Sequence, residues 1–245
     1  MVIQAVLFDI DNTLILFNEA EFFKAYFRII TPHFSDLFGQ EQFGAHLMHA
    51  SRALMENKGR QCNVDYFLSV FKDGSDHDPS VLWDRFTRFY ASGFAELASF
   101  ATAVSGVLPV IETLKARGVR LVAASNPVWP LAVQKMRVGW AGLDSAVFDH
   151  YTGIENSKFM KPQPGYFQET ANAIGVAPET CLMVGNDPLN DMAAKAAGLR
   201  TYLTTDSAPI DPDLLVSRQL HAGVQALLPP DGQGALAELL AFIGE

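Results

Sequence analysis

The chain has 245 residues, of which 49% are hydrophobic and 18% are charged, with a formal net charge of −9. This composition fits one large folded domain, or a core with a smaller insert, and argues against disorder. An acidic chain without a Lys/Arg block is a poor partner for nucleic acid or an anionic membrane, and its longest uncharged stretch, residues 97–111, is too short to span a bilayer.

The first predicted strand is the apolar run at residues 5–8, and two acidic residues, Asp9 and Asp11, follow it directly. The strand period of two would place both carboxylates on one face. Carboxylates held this close repel each other unless a cation or a shared proton offsets the charge, which favours a chemical role. Taken alone, this motif fits a solvated acidic turn about equally well.

Residues 17–104 have helical spacing of apolar side chains and no convincing strand, which predicts an all-helical insert. From residue 105 onward, strands and helices alternate. Apolar runs predict strands at 119–124, 181–184 and 201–203. Amphipathic segments predict helices near 107–117, 130–140, 163–174 and 189–197, with a closing helix at 235–243. We therefore expect an α/β fold with an open parallel Rossmann-like sheet, formed by a core domain of residues 1–16 and 105–245 and interrupted by a helical cap domain of residues 17–104.

Further polar residues stand where later strands end or where a loop can reach those ends. Ser125 and Asn126 follow the strand at 119–124, and Asp187 and Asp191 follow the strand at 181–184. Lys161 precedes a helix that begins with proline. Each motif has an ordinary explanation by itself: turn chemistry, a surface lysine or a helix cap. Their combination in one chain is harder to explain in that way.

Together these residues match the requirements of phosphoryl transfer, which depends mainly on positioning and on stabilisation of charge. Carboxylates are the oxygen ligands that Mg²⁺ prefers, and the sequence offers no His/Cys cluster for zinc. We expect Asp9 and Asp187 to hold Mg²⁺. Ser125, Asn126 and Lys161 would then surround the phosphoryl group.

The four motifs, FDIDNTL at residues 8–14, Ser125-Asn126, Lys161-Pro162 and the acidic loop at 185–191, occur in an order that closely resembles the haloacid dehalogenase superfamily of hydrolases. The resemblance is to the subgroup with a helical cap inserted after the first strand. It implies that Asp9 is the nucleophile, forming an aspartyl-phosphate, and also a Mg²⁺ ligand. It implies that Asp11 is the general acid–base and gives its backbone carbonyl to the metal.

The resemblance also assigns roles to the later motifs. Ser125 would hydrogen-bond the phosphoryl oxygens with Asn126 in support, and Lys161 would neutralise charge on the nucleophile and the phosphate. Asp187 would coordinate Mg²⁺, and Asp191 would support the water shell of the metal. Lys158, three residues before Lys161, is the alternative for the lysine role, although the Lys-Pro pattern favours Lys161.

The resulting hypothesis is a cytoplasmic, Mg²⁺-dependent phosphatase that acts on a small phosphorylated metabolite. Asp11 favours a phosphatase over a dehalogenase, because an alkoxide leaving group needs a proton and a halide does not. A phosphomutase, or a non-catalytic binding protein on the same fold, is the alternative. The sequence defines neither the substrate nor the oligomeric state.

Overall fold

The computed structural model describes residues 2–72 and 76–244. The β-strands are Ala5–Phe8 (β1), Ile15–Phe17 (β2), Ala101–Ala103 (β3), Arg120–Ala123 (β4), His150–Tyr151 (β5), Cys181–Gly185 (β6), Arg200–Thr204 (β7) and Gly232–Gly234 (β8). The α-helices are Glu19–Ile30 (α1), Gln40–Ala53 (α2), Asn63–Phe71 (α3), Pro79–Ser92 (α4), Val107–Ala116 (α5), Leu131–Trp140 (α6), Pro164–Ala173 (α7), Pro212–Ala222 (α8) and Leu239–Gly244 (α9). Short 3-10 helices include Thr31–Phe34, Phe94–Phe100 and Met192–Ala197.

Six strands form a parallel sheet in the order β5-β4-β1-β6-β7-β8, which confirms the predicted α/β architecture. Strand β1 lies inside the sheet between β4 and β6, and all four of its residues are buried. Its side chains alternate between two apolar clusters: Val6 and Phe8 enter one, and Ala5 and Leu7 enter the other. A strand covered on both faces must be apolar throughout, which explains the unbroken run at residues 5–8.

Helices α1 to α4 pack around an aromatic cluster. Phe34 stacks on Phe43 with ring centroids 4.6 Å apart, and Phe71 and Phe86 meet edge to face at 5.2 Å. Trp129 of the core joins the same cluster and contacts Tyr26 at 5.1 Å. The helical region therefore shares its apolar interior with the core.

The chain leaves and rejoins the core through a two-stranded antiparallel ribbon. Strand β2 pairs with β3, and Phe17 lies opposite Ala101. Each of these strands has only three residues, which is too short to show a period of two in the sequence. Strand β3 falls inside the segment 17–104 that the sequence indicated to be wholly helical.

Hydrogen bonds also tie the helical region to the core loop that carries Lys161. Asn57, fully buried, donates from Nδ2 to the carbonyl of Lys158 at 3.0 Å and to Oδ1 of Asn63 at 2.7 Å. The backbone amides of Gly59 and Asn63 donate to the carbonyls of Lys158 and Ser157. Residues of the helical region therefore hold this loop in place.

Two segments of the core differ from the sequence prediction. The amphipathic helix expected at 189–197 is a 3-10 helix, Met192–Ala197, because the preceding turn is shaped by side-chain bonds of Asp187 and Asp191. Helix α8 was not predicted, and all its residues are at least partly exposed, so it lacks a buried stripe. Within the described residues, no helix is both long and apolar enough to cross a membrane.

Candidate active site

A cavity of about 520 Å³ opens at the edge of the sheet where β1, β4 and β6 end. Because these strands are parallel neighbours, the residues that follow them meet at one edge. The cavity brings together all seven residues that the sequence singled out: Asp9, Asp11, Ser125, Asn126, Lys161, Asp187 and Asp191. The sheet thus converts motifs that are far apart in sequence into one site.

Lys161 lies between two carboxylates at the floor of the cavity. Its Nζ is 2.9 Å from Oδ1 of Asp9 and 2.7 Å from Oδ1 of Asp191. The side chains of Lys161 and Asp191 are both only 1% exposed, whereas that of Asp9 is 12% exposed. The sheet ladder also fixes Asp9, since its amide donates to the carbonyl of Val184 at 2.9 Å. All three residues line the cavity, and the side chain of Asp9 is the least buried of them.

The neighbouring charges in this cluster shift the pKa values of Lys161 and Asp191. Burial alone would lower the pKa of Lys161, but the neighbouring carboxylates of Asp191 and Asp9 outweigh burial and raise it. Burial raises the pKa of Asp191, and Lys161 opposes that shift. A lysine that stays protonated between two carboxylates is a fixed positive charge beside Asp9.

The backbone of Lys161 is held by a second motif residue. Its amide donates to Oδ1 of Asn126 at 3.0 Å, and the Lys161–Pro162 peptide bond is cis. Lys158, the alternative lysine, is exposed, and its amide donates instead to the carboxylate of Glu169. The structure therefore places Lys161, and not Lys158, beside Asp9.

Asp11 lies at the mouth of the cavity and forms an ion pair with Arg137 of α6. The guanidinium of Arg137 is fully buried, and its Nη1 donates to Oε1 of Gln134 at 2.8 Å. Burial lowers the pKa of Arg137 to about 10, partly offset by Asp9, so the side chain is still a cation at neutral pH. Asn12 makes the turn after Asp11 in the left-handed region, with φ of +56°.

The loop after β6 presents Asp187. Its Oδ1 accepts hydrogen bonds from the amides of Leu189 and Asn190, at 2.9 and 3.1 Å. Its Oδ2 accepts from the Asn190 side chain at 2.9 Å and pairs with Nη2 of Arg218, on α8. Asp191 supports the same loop, because its Oδ2 accepts the amide of Asp187 at 3.0 Å. The orientation of Asp187 is thus set by its own loop and by α8.

Ser125 lies at the end of β4 and is buried, with 2% of its surface exposed. Its carbonyl accepts hydrogen bonds from the hydroxyls of Thr152, at 2.7 Å, and Tyr166, at 3.0 Å. These bonds fix the backbone at the strand end and leave the Ser125 side chain lining the cavity.

The donor set of the cavity fits a hard divalent cation. Asp9 and Asp187 supply carboxylate oxygens, and none of the described residues that line the cavity is a histidine or a cysteine. Among the described residues, no group of three or more Asp, Glu, His or Cys side chains is arranged so that it could hold one metal ion. Two carboxylates and one backbone carbonyl are nevertheless an adequate set for Mg²⁺, which usually retains several waters.

Sequence reasoning missed two cations that touch the acidic residues, Arg137 and Arg218. Arg137 had a signal: together with Gln134 it falls on the helical face of Val133 and Val138, where a buried polar pair is unusual. For Arg218 the signal was the helix itself, which begins after Asp211-Pro212 and ends at Gly223. Those capping residues identify α8 although none of its residues is buried.

The family model of haloacid dehalogenase-like hydrolases matches residues 3–198, and the chain belongs to this family. A phosphoglycolate phosphatase from Rhodospirillum rubrum is 25% identical over 241 residues, covering 98% of this chain and 91% of the relative. The pyrophosphatase PpaX from Halalkalibacterium halodurans is 24% identical over 202 residues, covering 82% of this chain and 83% of the relative.

Among solved structures, a 2-haloacid dehalogenase from Pseudomonas syringae superimposes with a TM-score of 0.61 at 18% identity, with 99% of each chain covered. At this identity the likeness shows a common fold. Since phosphatases and dehalogenases share that fold, the fold does not select the reaction, and the residues of the site must do so.

Proposed function

We propose that the protein is a Mg²⁺-dependent phosphatase that hydrolyses a small phosphate monoester through an aspartyl-phosphate at Asp9. The observation that carries the proposal is the Asp9–Lys161–Asp191 cluster, with Asp11 two residues beyond it at the mouth of the same cavity. A partly exposed carboxylate beside a buried cation is suited to attack phosphorus, since the cation offsets the charge of the phosphoryl group.

In the first step an oxygen of Asp9 attacks phosphorus, and the bond from phosphorus to the ester oxygen breaks. Asp11, protonated at this stage, gives its proton to the leaving alkoxide. In the second step Asp11 takes a proton from water, which attacks the phosphorus of the aspartyl-phosphate. The phosphorus–Asp9 bond breaks, so inorganic phosphate leaves and both carboxyl groups return to their starting state.

Other residues of the cavity hold the phosphoryl group and the metal. Lys161, Ser125 and Asn126 would bind and orient the phosphoryl oxygens. Asp9, the Asp11 carbonyl and Asp187 would hold Mg²⁺, which supplies positive charge to the phosphoryl oxygens when bound. Asp191 positions Lys161 and the loop of Asp187.

We further propose that residues 17–104 act as a cap domain over a core domain of residues 1–16 and 105–245. The connecting ribbon β2–β3, through which the chain leaves and rejoins the core, supports this division. Such a cap excludes water and adds contacts to the leaving group.

A screen of phosphorylated metabolites, each with Mg²⁺ and with EDTA, tests the proposed activity. The names of the relatives suggest phosphoglycolate and pyrophosphate as the first compounds. We expect release of inorganic phosphate in the Mg²⁺ arm alone. Isomerisation of a sugar phosphate without release of phosphate would indicate a mutase instead, and a lack of turnover on every compound would oppose catalysis.

A further inference from the structure

A second cleft, of about 460 Å³, adjoins the active-site cavity and lies between the cap side and helix α8. It shares Asn126, Lys161, Asn190 and Arg218 with that cavity. The remaining lining residues come from the end of α2 and just beyond it, from the core loops and from α8: Arg52, Met55, Pro162, Leu189, Ser217, His221 and Ala222. Because the two spaces share Lys161, a molecule whose phosphoryl group is at Lys161 can reach this cleft.

The two spaces differ sharply in charge. The first cavity is lined by carboxylates, including Asp9, Asp187 and Asp191. None of the described residues that line the second cleft is acidic, and three of them, Arg52, Lys161 and Arg218, are cations. Lys161 and Arg218 are each paired with carboxylates of the first cavity, whereas Arg52 has no ion pair among the described residues, so its positive charge is uncompensated and favours an anion.

Arg218 has hydrogen-bonding capacity left for a ligand. A guanidinium carries five N–H donors in a fixed fork. Its Nη2 meets Asp187, and the described part of the chain offers its side chain no other hydrogen bond. Arg52 is exposed and forms no ion pair with any described residue. Both arginines can therefore bind a carboxylate or a phosphoryl group without losing an existing partner.

We infer that this cleft binds a second anionic group of the substrate, a carboxylate or a second phosphoryl group on the leaving-group side, through Arg218 and Arg52. The inference rests on the proposed phosphatase function and deepens it, since it assigns a chemical class to the leaving group. His221 lies on the same wall, one turn beyond Arg218 on α8.

Calorimetric titration with non-hydrolysable probes tests the inference without turnover. Methylphosphonate supplies a single anionic group, phosphonoacetate adds a carboxylate, and methylenediphosphonate adds a second phosphoryl group. With Mg²⁺ in excess, we expect at least one of the two larger probes to bind about 10- to 100-fold more tightly than methylphosphonate. If phosphonoacetate binds more tightly, the second anionic group is a carboxylate; if methylenediphosphonate binds more tightly, it is a phosphoryl group.

Variants at the two arginines locate the effect. Arg218→Gln and Arg52→Gln should each reduce the preference, that is, the ratio by which the larger probe binds more tightly than methylphosphonate. In the double variant the two affinities should be within about twofold of each other. Arg218→Lys, which keeps the charge but not the fork, should retain part of it. Arg88→Gln is the matched control, because Arg88 pairs with Asp84 on α4 and lines neither space. That control should keep the full preference.

The outcomes separate this inference from the proposed function. Equal binding of all three probes, or a preference that survives in the double variant, would overturn the anion site even if phosphate esters are hydrolysed. A preference that depends on the arginines would support the site. If that preference appeared in a protein that hydrolyses no phosphate ester with Mg²⁺, the proposed catalysis would fail while the binding assignment would stand.

Discussion

The buried guanidinium of Arg137 and the carboxylate of Asp11 form an ion pair that joins helix α6 to the loop after β1. The contact is electrostatic and not a well-aligned hydrogen bond, because neither Oδ1 of Asp11 nor Nε of Arg137 has a hydrogen-bond partner among the described residues. A buried cation with an unused donor attracts the carboxylate and restricts its position. Arg137 is therefore a positioning residue for the proposed general acid–base.

Arg137→Gln tests that relationship. Removing the cation should lower kcat about 10- to 100-fold for alkyl phosphates, whose leaving groups need the proton of Asp11. The loss should be smaller for p-nitrophenyl phosphate, which has a better leaving group, and Asp11→Asn should show the same dependence. Arg137→Lys should recover part of the rate. A uniform loss on all substrates, together with a lowered melting temperature, would indicate a purely structural role.

Asp9→Asn should reduce turnover by about 10³-fold or more while the fold is retained, since an amide cannot form the covalent intermediate. Mass spectrometry of protein quenched in acid during turnover should find an added phosphoryl group on the wild type and none on the variant. Asp84→Asn, on the exposed face of α4, is the control and should behave as wild type. Near-normal rates in Asp9→Asn would exclude nucleophilic catalysis by this residue.

Chelation should abolish phosphatase activity, and Mg²⁺ should restore it, because the proposed ligands are all oxygen atoms. Calorimetry should detect Mg²⁺ binding to the wild type, and Asp187→Asn should weaken that binding at least about tenfold. The Asp84→Asn control should bind Mg²⁺ normally. Activity that persists in EDTA, or that zinc alone supports, would contradict the ligand assignment.

Gly185, the last residue of β6, leaves room for Asp191. A Cβ at this position would collide with the Asp191 carboxylate, which holds Lys161. Gly185→Ala should therefore cost about 1–3 kcal/mol of stability and at least about tenfold in kcat through displacement of Lys161. Gly139→Ala, on an exposed position of α6 with nothing within 4 Å of the added carbon, should be stable and active. An active Gly185→Ala enzyme would show that the cluster tolerates a shifted Asp191.

Asn57→Ala tests how far the hydrogen bonds between the helical region and the loop of Lys158 contribute to stability. The buried Nδ2 of Asn57 reaches the carbonyls of Gln61 and Lys158 and Oδ1 of Asn63, all within 3.0 Å. Its removal should lower the free energy of unfolding by about 2–3 kcal/mol, as measured by urea titration. Asn172→Ala, at an exposed site, should change it by less than about 0.5 kcal/mol. Equal effects of the two variants on the free energy of unfolding would mean that the hydrogen bonds of Asn57 contribute little to stability.

The sequence predicted the parallel sheet and the convergence of its motifs because both rest on short-range signals. The run at residues 5–8 is apolar at every position, and Asp9 follows it directly, so the sequence alone predicts both a buried strand and an acidic residue at its end. The choice between Lys158 and Lys161 required the structure. Both lysines precede the same helix, and only the fold of the loop shows that Lys161 turns inward.

Other parts of the site depend on contacts between distant segments. Arg137 meets Asp11 across 126 residues, and Arg218 meets Asp187 across 31, so no local pattern links either pair. Strand β5 has only two residues, His150 and Tyr151, and becomes a strand through pairing with β4. Tertiary partners, and not intrinsic propensity, determine such elements.

The ribbon formed by β2 and β3 places the start and the end of the intervening segment side by side. With Phe17 opposite Ala101, the points of departure and return are separated by one strand spacing, whatever lies between them. The parallel sheet is therefore insensitive to the length of the inserted segment, because adding or removing a helix there leaves the register of β1 and β4 unchanged. Such an arrangement allows the inserted helices to diverge in evolution while the edge of the sheet that carries Asp9 and Ser125 is preserved.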